Sequence, residues 1–415
     1  MNPREMRHLL EQTLPHRAFA VRFWDDTVLP PTAEPQATLV LGPGLPQRLA
    51  PPLDLALGEA FIHGDLEIEG DPEAVFAALE TPQLPQSPRE WGSLLGTALK
   101  QAGIRGLSAH LRGAAHTPAR DRQAVQHHYD LPSDFYRLWL DQRMVYSCAY
   151  FPTGEETLDQ AQTAKLEHIC RKLRLQPGER LLDIGCGWGG LVLYAAERYG
   201  VEATGITLSK EQFQEARERA KQAGLEGKVR IELLDYREIR GEFDKGVSVG
   251  MAEHVGRANL GRYFQAAFER LRPGGLFLHH AIAQGPVVRK TPAWAASGEF
   301  MRQYIFPDGE ILPLWLNLQE AEGVGFEVRD VENLREHYAQ TLRLWRERLE
   351  AQSQRAAELV GLERVRLYRL YLAGSAHQFR FGHLAIHQSL LAKPGQGGRV
   401  GLPPNRADLY RSRPV

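Results

Sequence analysis

The run Leu181-Leu182-Asp183-Ile184-Gly185-Cys186-Gly187-Trp188-Gly189-Gly190 ends an apolar stretch in a glycine-rich turn. Such a turn lets backbone approach a nucleotide closely, because a β-carbon there would stand in the ligand's way. By itself the GxGxxG spacing serves NAD enzymes equally well. Its surroundings discriminate. Asp183 precedes the turn, where a carboxylate accepts from a ligand's ammonium group and would repel a pyrophosphate; its alternative role is to cap the turn or the helix that follows. The next apolar segment ends Gly205-Ile206-Thr207-Leu208-Ser209, without the acid that takes an NAD ribose. Asp235-Tyr236 follows the third segment, offering an acceptor for an adenine amino group and a ring to flank the base. This combination points to S-adenosylmethionine (SAM).

These residues need a scaffold that presents strand ends side by side. Apolar segments Arg180 to Ile184, Val201 to Ile206, Val229 to Leu234, Phe243 to Val249 and Gly275 to Ile282 alternate with amphipathic helical patterns. That alternation predicts an α/β domain with a parallel sheet, helices on both faces, and ligands beyond the carboxyl ends of the strands. The aromatic- and proline-rich stretch from Gln284 to Leu318 interrupts it and reads as a cover over the site. Its Trp294, Tyr304, Phe306 and Trp315 either line an acyl channel or pack in a core.

Ahead of this domain, residues 1–80 combine a helical pattern (Met6, Leu10, Leu14) with strand-like pieces such as Ala37 to Leu41, a small α+β domain. Residues 81–122 form a linker with basic bias through Lys100, Arg105, Arg112, Arg120 and Arg122. Either a solvated helix face or attraction to anionic lipid explains those charges. The catalytic domain spans 123–392, and the Gly, Pro and Arg content of 393–415 suggests a flexible tail.

Over 415 residues, 50 Lys and Arg against 51 Asp and Glu give a net charge of -1, which supplies no general field for nucleic acid. The three cysteines match neither a disulfide framework nor a zinc site, and a reducing cytoplasm is the simplest setting. No stretch is long and apolar enough to span a bilayer, so a membrane substrate is reached from the surface, transiently at the inner face.

The chain resembles the cyclopropane-fatty-acyl-phospholipid synthases, which include the mycolic acid cyclopropane synthases. The resemblance runs through His128-Tyr129-Asp130-Leu131, Met144 to Phe151, Asp183 to Gly190, Gly205 to Ser209, Asp235-Tyr236-Arg237, Glu253-His254-Val255-Gly256, His280-Ala281-Ile282 and Tyr338 with Thr341-Leu342. Leu57 to Phe61 and Gly64 to Asp71 look like the lipid-engaging N-terminal domain of longer members.

The resemblance implies a Rossmann-like class I methyltransferase fold with a mostly parallel seven-stranded sheet. It implies methylene transfer from SAM to a cis double bond in a membrane phospholipid's acyl chain, through a carbocation deprotonated by bound bicarbonate. Cys148, Glu253, His280, Ile282 and Tyr338 correspond to the bicarbonate cage. Tyr, His and backbone N–H groups donate to such an anion, and Glu253 accepts from its OH. Tyr146, Ser147, Gly185, Gly187, Thr207 and Gln212 correspond to the cofactor shell, beside Asp183, Asp235 and Tyr236. A metal is not expected; a homodimer is possible by analogy.

His279-His280-Ala281-Ile282 departs from the family's Leu-His-Thr-Ile, and strand alternation puts His279 on the face away from His280. Competing expectations are a relative that leaves a methylene or methyl branch, a small-amine methyltransferase, and a non-catalytic lipid- or SAM-binding protein. Retention of Glu253 and the glycine turn disfavours the last.

Overall fold

The computed structural model describes residues 1–50, 52–80, 107–109, 111–286 and 298–410. Lys100, Arg105 and Trp294, with most of the linker, lie outside them. The chain forms two compact units, and neither is a single stretch of sequence. One comprises Met1–His110, Val287–Pro307 and Leu349–Gln378; the other comprises Leu111–Pro286, Asp308–Arg348 and Phe379–Val415.

In the first unit, β1 (Phe19–Arg22) lies between β2 (Val28–Leu29) and β3 (Ala37–Leu41), and β4 (Leu66–Gly70) closes the sheet beside β3. Every second residue of β1 and β3 is buried, the mark of a sheet with one face on a core. The Pro3–Thr13 helix starts at a capping box between Asn2 and Glu5, which satisfies backbone donors that a free helix end exposes. It contributes Met6 to that core, with Leu14 just past its end, while Leu10 packs at the margin.

The second unit holds β5 (Arg180–Ile184), β6 (Glu202–Thr207), β7 (Val229–Leu233), β8 (Phe243–Val249), β9 (Leu271–Gln284), β10 (Glu327–Asn333) and β11 (Leu384–Ala392). Their order is β10-β11-β9-β8-β5-β6-β7, and only β11 pairs antiparallel with its neighbours. The inner strands β5, β9 and β11 are buried on both faces over most of their length, as a helix-covered sheet requires, while the edge strands β7 and β10 are more open. Leu181, Leu276 and Leu278 pack on one side; Leu182, Ile184 and Phe277 pack on the other. This is the expected α/β class.

β5 and β8 have the expected bounds, β6 is displaced by one residue, and β9 runs well beyond Gly275 to Ile282 at both ends. The aromatic stretch contains two described helices, Glu299–Tyr304 and Leu314–Gly323. Within the first unit, the Tyr304 hydroxyl donates to buried Glu59 at 2.5 Å. From 393 onward, composition predicts a loose tail, yet Ala407–Tyr410 is helical. Ion pairs Arg174–Asp408 at 2.8 Å and Arg406–Asp330 at 2.7 Å tie its flanks to the body. Among the described residues no helix is long and apolar enough to cross a membrane.

Candidate active site

The ends of β5, β6, β7 and β8 open into one cavity. All nine residues expected around the cofactor line it: Tyr146, Ser147, Asp183, Gly185, Gly187, Thr207, Gln212, Asp235 and Tyr236. At the turn after β5, Gly185 has φ +89°, a left-handed conformation open to glycine at little cost. The turn is stapled to β6 by the Gly185 and Cys186 N–H groups, which both donate to the Ile206 carbonyl.

Asp183 is buried at the cavity wall, and its Oδ1 has no hydrogen-bond partner among the described residues. Burial pushes its carboxyl up to about 7, against the pull of Lys165. A buried carboxylate oxygen with a free lone pair is costly unless a donor arrives. An ammonium group from a ligand meets that need, so the site fits the amino-acid end of SAM.

Thr207 Oγ1 donates to Gln212 Oε1 at 2.8 Å, and Ser209 caps the helix bearing Gln212. Gln212 is buried rather than solvated. At the end of β7, Asp235 is gripped by Arg237, which reaches its two oxygens at 2.7 and 2.8 Å and also bonds Asp121 at 2.6 Å. Arg237 thus occupies much of the acceptor capacity expected to meet adenine and fixes where the remainder points. Tyr236 is buried beside it, the guanidinium 4.9 Å from its ring centroid.

Two residues of the helix behind the cavity wall were not anticipated. Lys165, fully buried in the Leu158–Leu173 helix, lines the cavity and donates to Ser147 Oγ at 2.7 Å. Burial pulls its amine down to about 8, opposed first by Asp141 and then by Cys148 and Asp183. Gln162, one turn earlier, donates to the carbonyls of Val145 and Ser147 at 3.2 and 2.9 Å. Together they hold the Tyr146-Ser147 segment. The signal was present: Gln162, Lys165, Leu166 and Ile169 share one helical stripe, and polar residues on a buried stripe need partners.

The five cage residues do not line this cavity; Cys148, His280 and Tyr338 are buried, Glu253 and Ile282 half-buried, and backbone bonds link them. Glu253 Oε1 accepts from the Ile282 N–H at 2.6 Å. Cys148 Sγ lies 3.7 Å from the Leu334 carbonyl, which also accepts from the Tyr338 N–H, while the Leu334 N–H donates to Ile386 of β11. Ile386 pairs with Ile282 of β9. Tyr338 packs its ring against Phe379 at 4.6 Å.

Two atoms of this cluster are buried with no hydrogen-bond partner among the described residues: Glu253 Oε2 and His280 Nε2. Burial pushes the Glu253 carboxyl up to about 7, holds His280 neutral, and keeps the Cys148 thiol protonated. A small anion that carries an OH fits this donor and acceptor set. His279 faces the other way, between the Tyr263 hydroxyl and Asn317, each at 3.2 Å.

A family model described as mycolic acid cyclopropane synthetase matches residues 116–389. A probable fatty acid methyltransferase of Pseudomonas putida is 43% identical over 95% of this chain and 97% of its own length. The cyclopropane-fatty-acyl-phospholipid synthase of Escherichia coli is 39% identical over 65% of this chain and 68% of its own. Among solved structures, mycolic acid cyclopropane synthase CmaA1 complexed with SAH and CTAB superposes with a TM-score of 0.62. It is 35% identical and covers 65% of this chain and 97% of its own.

Proposed function

We propose that this chain, which belongs to the mycolic acid cyclopropane synthetase family and is a SAM-dependent enzyme of lipid methylene transfer, makes cyclopropanes. Its substrate on this reading is a cis-unsaturated acyl chain of a membrane phospholipid, met from the surface at the inner face. The observation that carries the proposal is the pair of unpartnered buried atoms, Glu253 Oε2 and His280 Nε2, among residues matching the family's bicarbonate cage.

When bound, SAM supplies a sulfonium methyl to the alkene and bicarbonate accepts the proton that the new methyl sheds. The protein's share is placement. Asp183 would hold the ligand's ammonium end, while Gln162 fixes the Val145 and Ser147 carbonyls and Lys165 the Ser147 hydroxyl beside it. Glu253, anchored through the Ile282 N–H, would orient an OH of the anion; His280 Nε2 and the Tyr338 hydroxyl would supply donors. Burial keeps water from intercepting a cation.

A second reading follows the Pseudomonas putida relative, matched over nearly its whole length: methyl or methylene branching of the acyl chain. Proton NMR separates the two. Lipid recovered after the protein acts on SAM, bicarbonate and cis-unsaturated phospholipid vesicles should show upfield cyclopropane signals that vanish with Glu253→Gln. Vinylidene or methyl-branch signals would establish the second reading instead, and unaltered lipid would remove phospholipid as substrate.

A further inference from the structure

We propose that Gln388 is a positioning residue that fixes His280 in its Nε2–H tautomer, so that the ring offers a donor, not a lone pair, to the anion beside Glu253. Which anion that is rests on the reading above; the tautomer does not.

Gln388 stands on β11 directly opposite His280 on β9, and both are buried. The amide Nε2 lies 3.3 Å from the ring's Nδ1. An amide NH₂ donates only, so the nitrogen it meets must carry a lone pair. Burial, reinforced by Lys165, Lys172, His279 and His387, keeps this imidazole neutral, with a single N–H to place. If Nδ1 bears the lone pair, the proton sits on Nε2, the buried nitrogen that nothing among the described residues engages. With the opposite tautomer, that atom would turn a lone pair toward an anion.

Packing does not account for a glutamine here. Its own Oε1 is also buried without a partner, so the residue carries a desolvation cost that leucine would avoid. A polar group kept at a cost to stability, and paired with a ring that has a free end, has its role at that ring.

The experiment is ¹⁵N NMR on the full chain labelled at histidine, with His280→Asn identifying the signal, followed by turnover of Gln388→Leu at varied bicarbonate. The expected spectrum has a pyridine-like Nδ1 and a protonated Nε2. Gln388→Leu should mix the tautomers and raise the bicarbonate KM about tenfold, the loss of one aligned neutral hydrogen bond. SAM affinity should hold and Tm should stay level or rise, which a merely structural glutamine would not allow. A wild-type ring protonated at Nδ1 would overturn the proposal, as would a variant with unchanged tautomer and KM. If wild-type turnover ignores bicarbonate, the anion's identity fails, while the wild-type spectrum still decides what Gln388 does.

Discussion

Asp183 and Lys165 face the same cavity, both fully buried, with carboxyl and amine drawn toward neutral pH from opposite sides. A ligand ammonium favours the ionised carboxylate. SAM affinity should therefore fall as pH drops below about 7, approaching tenfold per unit, and rise a little further near pH 8 as Lys165 sheds its charge. Asp183→Asn should abolish the lower limb and weaken binding by about 10- to 100-fold at pH 8, the usual loss for a hydrogen bond to a charged group. Titration calorimetry between pH 5.5 and 8.5 checks this; a wild-type affinity flat over that range would remove Asp183 from the ammonium site.

Glu253 makes a prediction of opposite character. Its folded pKa is raised to about 7, so the proton it keeps supports the fold fully below the ordinary carboxylate range, and that support is lost as pH climbs through 7. Glu253→Gln removes this dependence. Relative to wild type, the variant should gain on the order of 1–3 kcal/mol between pH 5 and pH 8, measured by urea denaturation without ligand. A parallel pH dependence in the two proteins would mean the carboxyl is better solvated than its burial implies.

At the scale of elements, the glycine turn and β6 are one device. A β-carbon on Gly205 would stand 2.7 Å from Cys186 Cβ and 2.8 Å from its sulfur. Gly205→Ala should thus push the turn off β6, costing about 1–3 kcal/mol of stability and at least tenfold in SAM affinity. Adding Cys186→Gly removes both opposing atoms and should recover part of the affinity. Equilibrium binding on the single and double variants decides it, and an unperturbed Gly205→Ala would show that the turn is not held this tightly.

The same elements show what a sequence reveals. β5 through β8 were legible because each is an apolar run ending at a turn, and Asp183, Gly185, Gly187, Thr207, Asp235 and Tyr236 sit on or just past such ends; Tyr146, Ser147 and Gln212 do not, and only the resemblance pointed to them. The cage was not legible that way. Its members come from a loop, a 3-10 turn, β9 and the Arg335–Ala351 helix, elements far apart in sequence, and only the resemblance brought them together. Gln388 was hidden for a related reason. In Leu384 to Ala392 it reads as a polar break in an apolar run, and only the pairing with β9 shows that it faces a histidine.

Over the whole molecule, the chain order conceals how the first unit is assembled. A reading in linear segments closes the first domain at residue 80, yet residues 349–378 belong to the same compact unit. One stripe of the Leu362–Arg380 helix explains why. Arg366 donates to the carbonyls of Phe61 and Leu66 at 2.6 and 3.0 Å and pairs with Glu67 at 2.5 Å. Leu370 packs on the core of residues 6–75, the ring of Phe76 comes close over Gly374, and buried His377 meets Glu80 at 2.5 Å. Positions 366, 370, 374 and 377 repeat at helical spacing, so a single face of this helix meets the first 80 residues.

Deleting residues 1–80 should strip that face, leaving His377, Leu370 and the apolar remainder of this unit without their cover. The shortened chain should melt about 5–10 °C below the full one and bind a hydrophobic dye such as ANS. All nine residues expected around the cofactor lie in the other unit, so SAM affinity at a temperature where both chains are folded should stay within about threefold. An unchanged Tm would mean that the face is replaceable. A Tm drop together with lost SAM binding would mean that the catalytic unit does not fold without the first 80 residues.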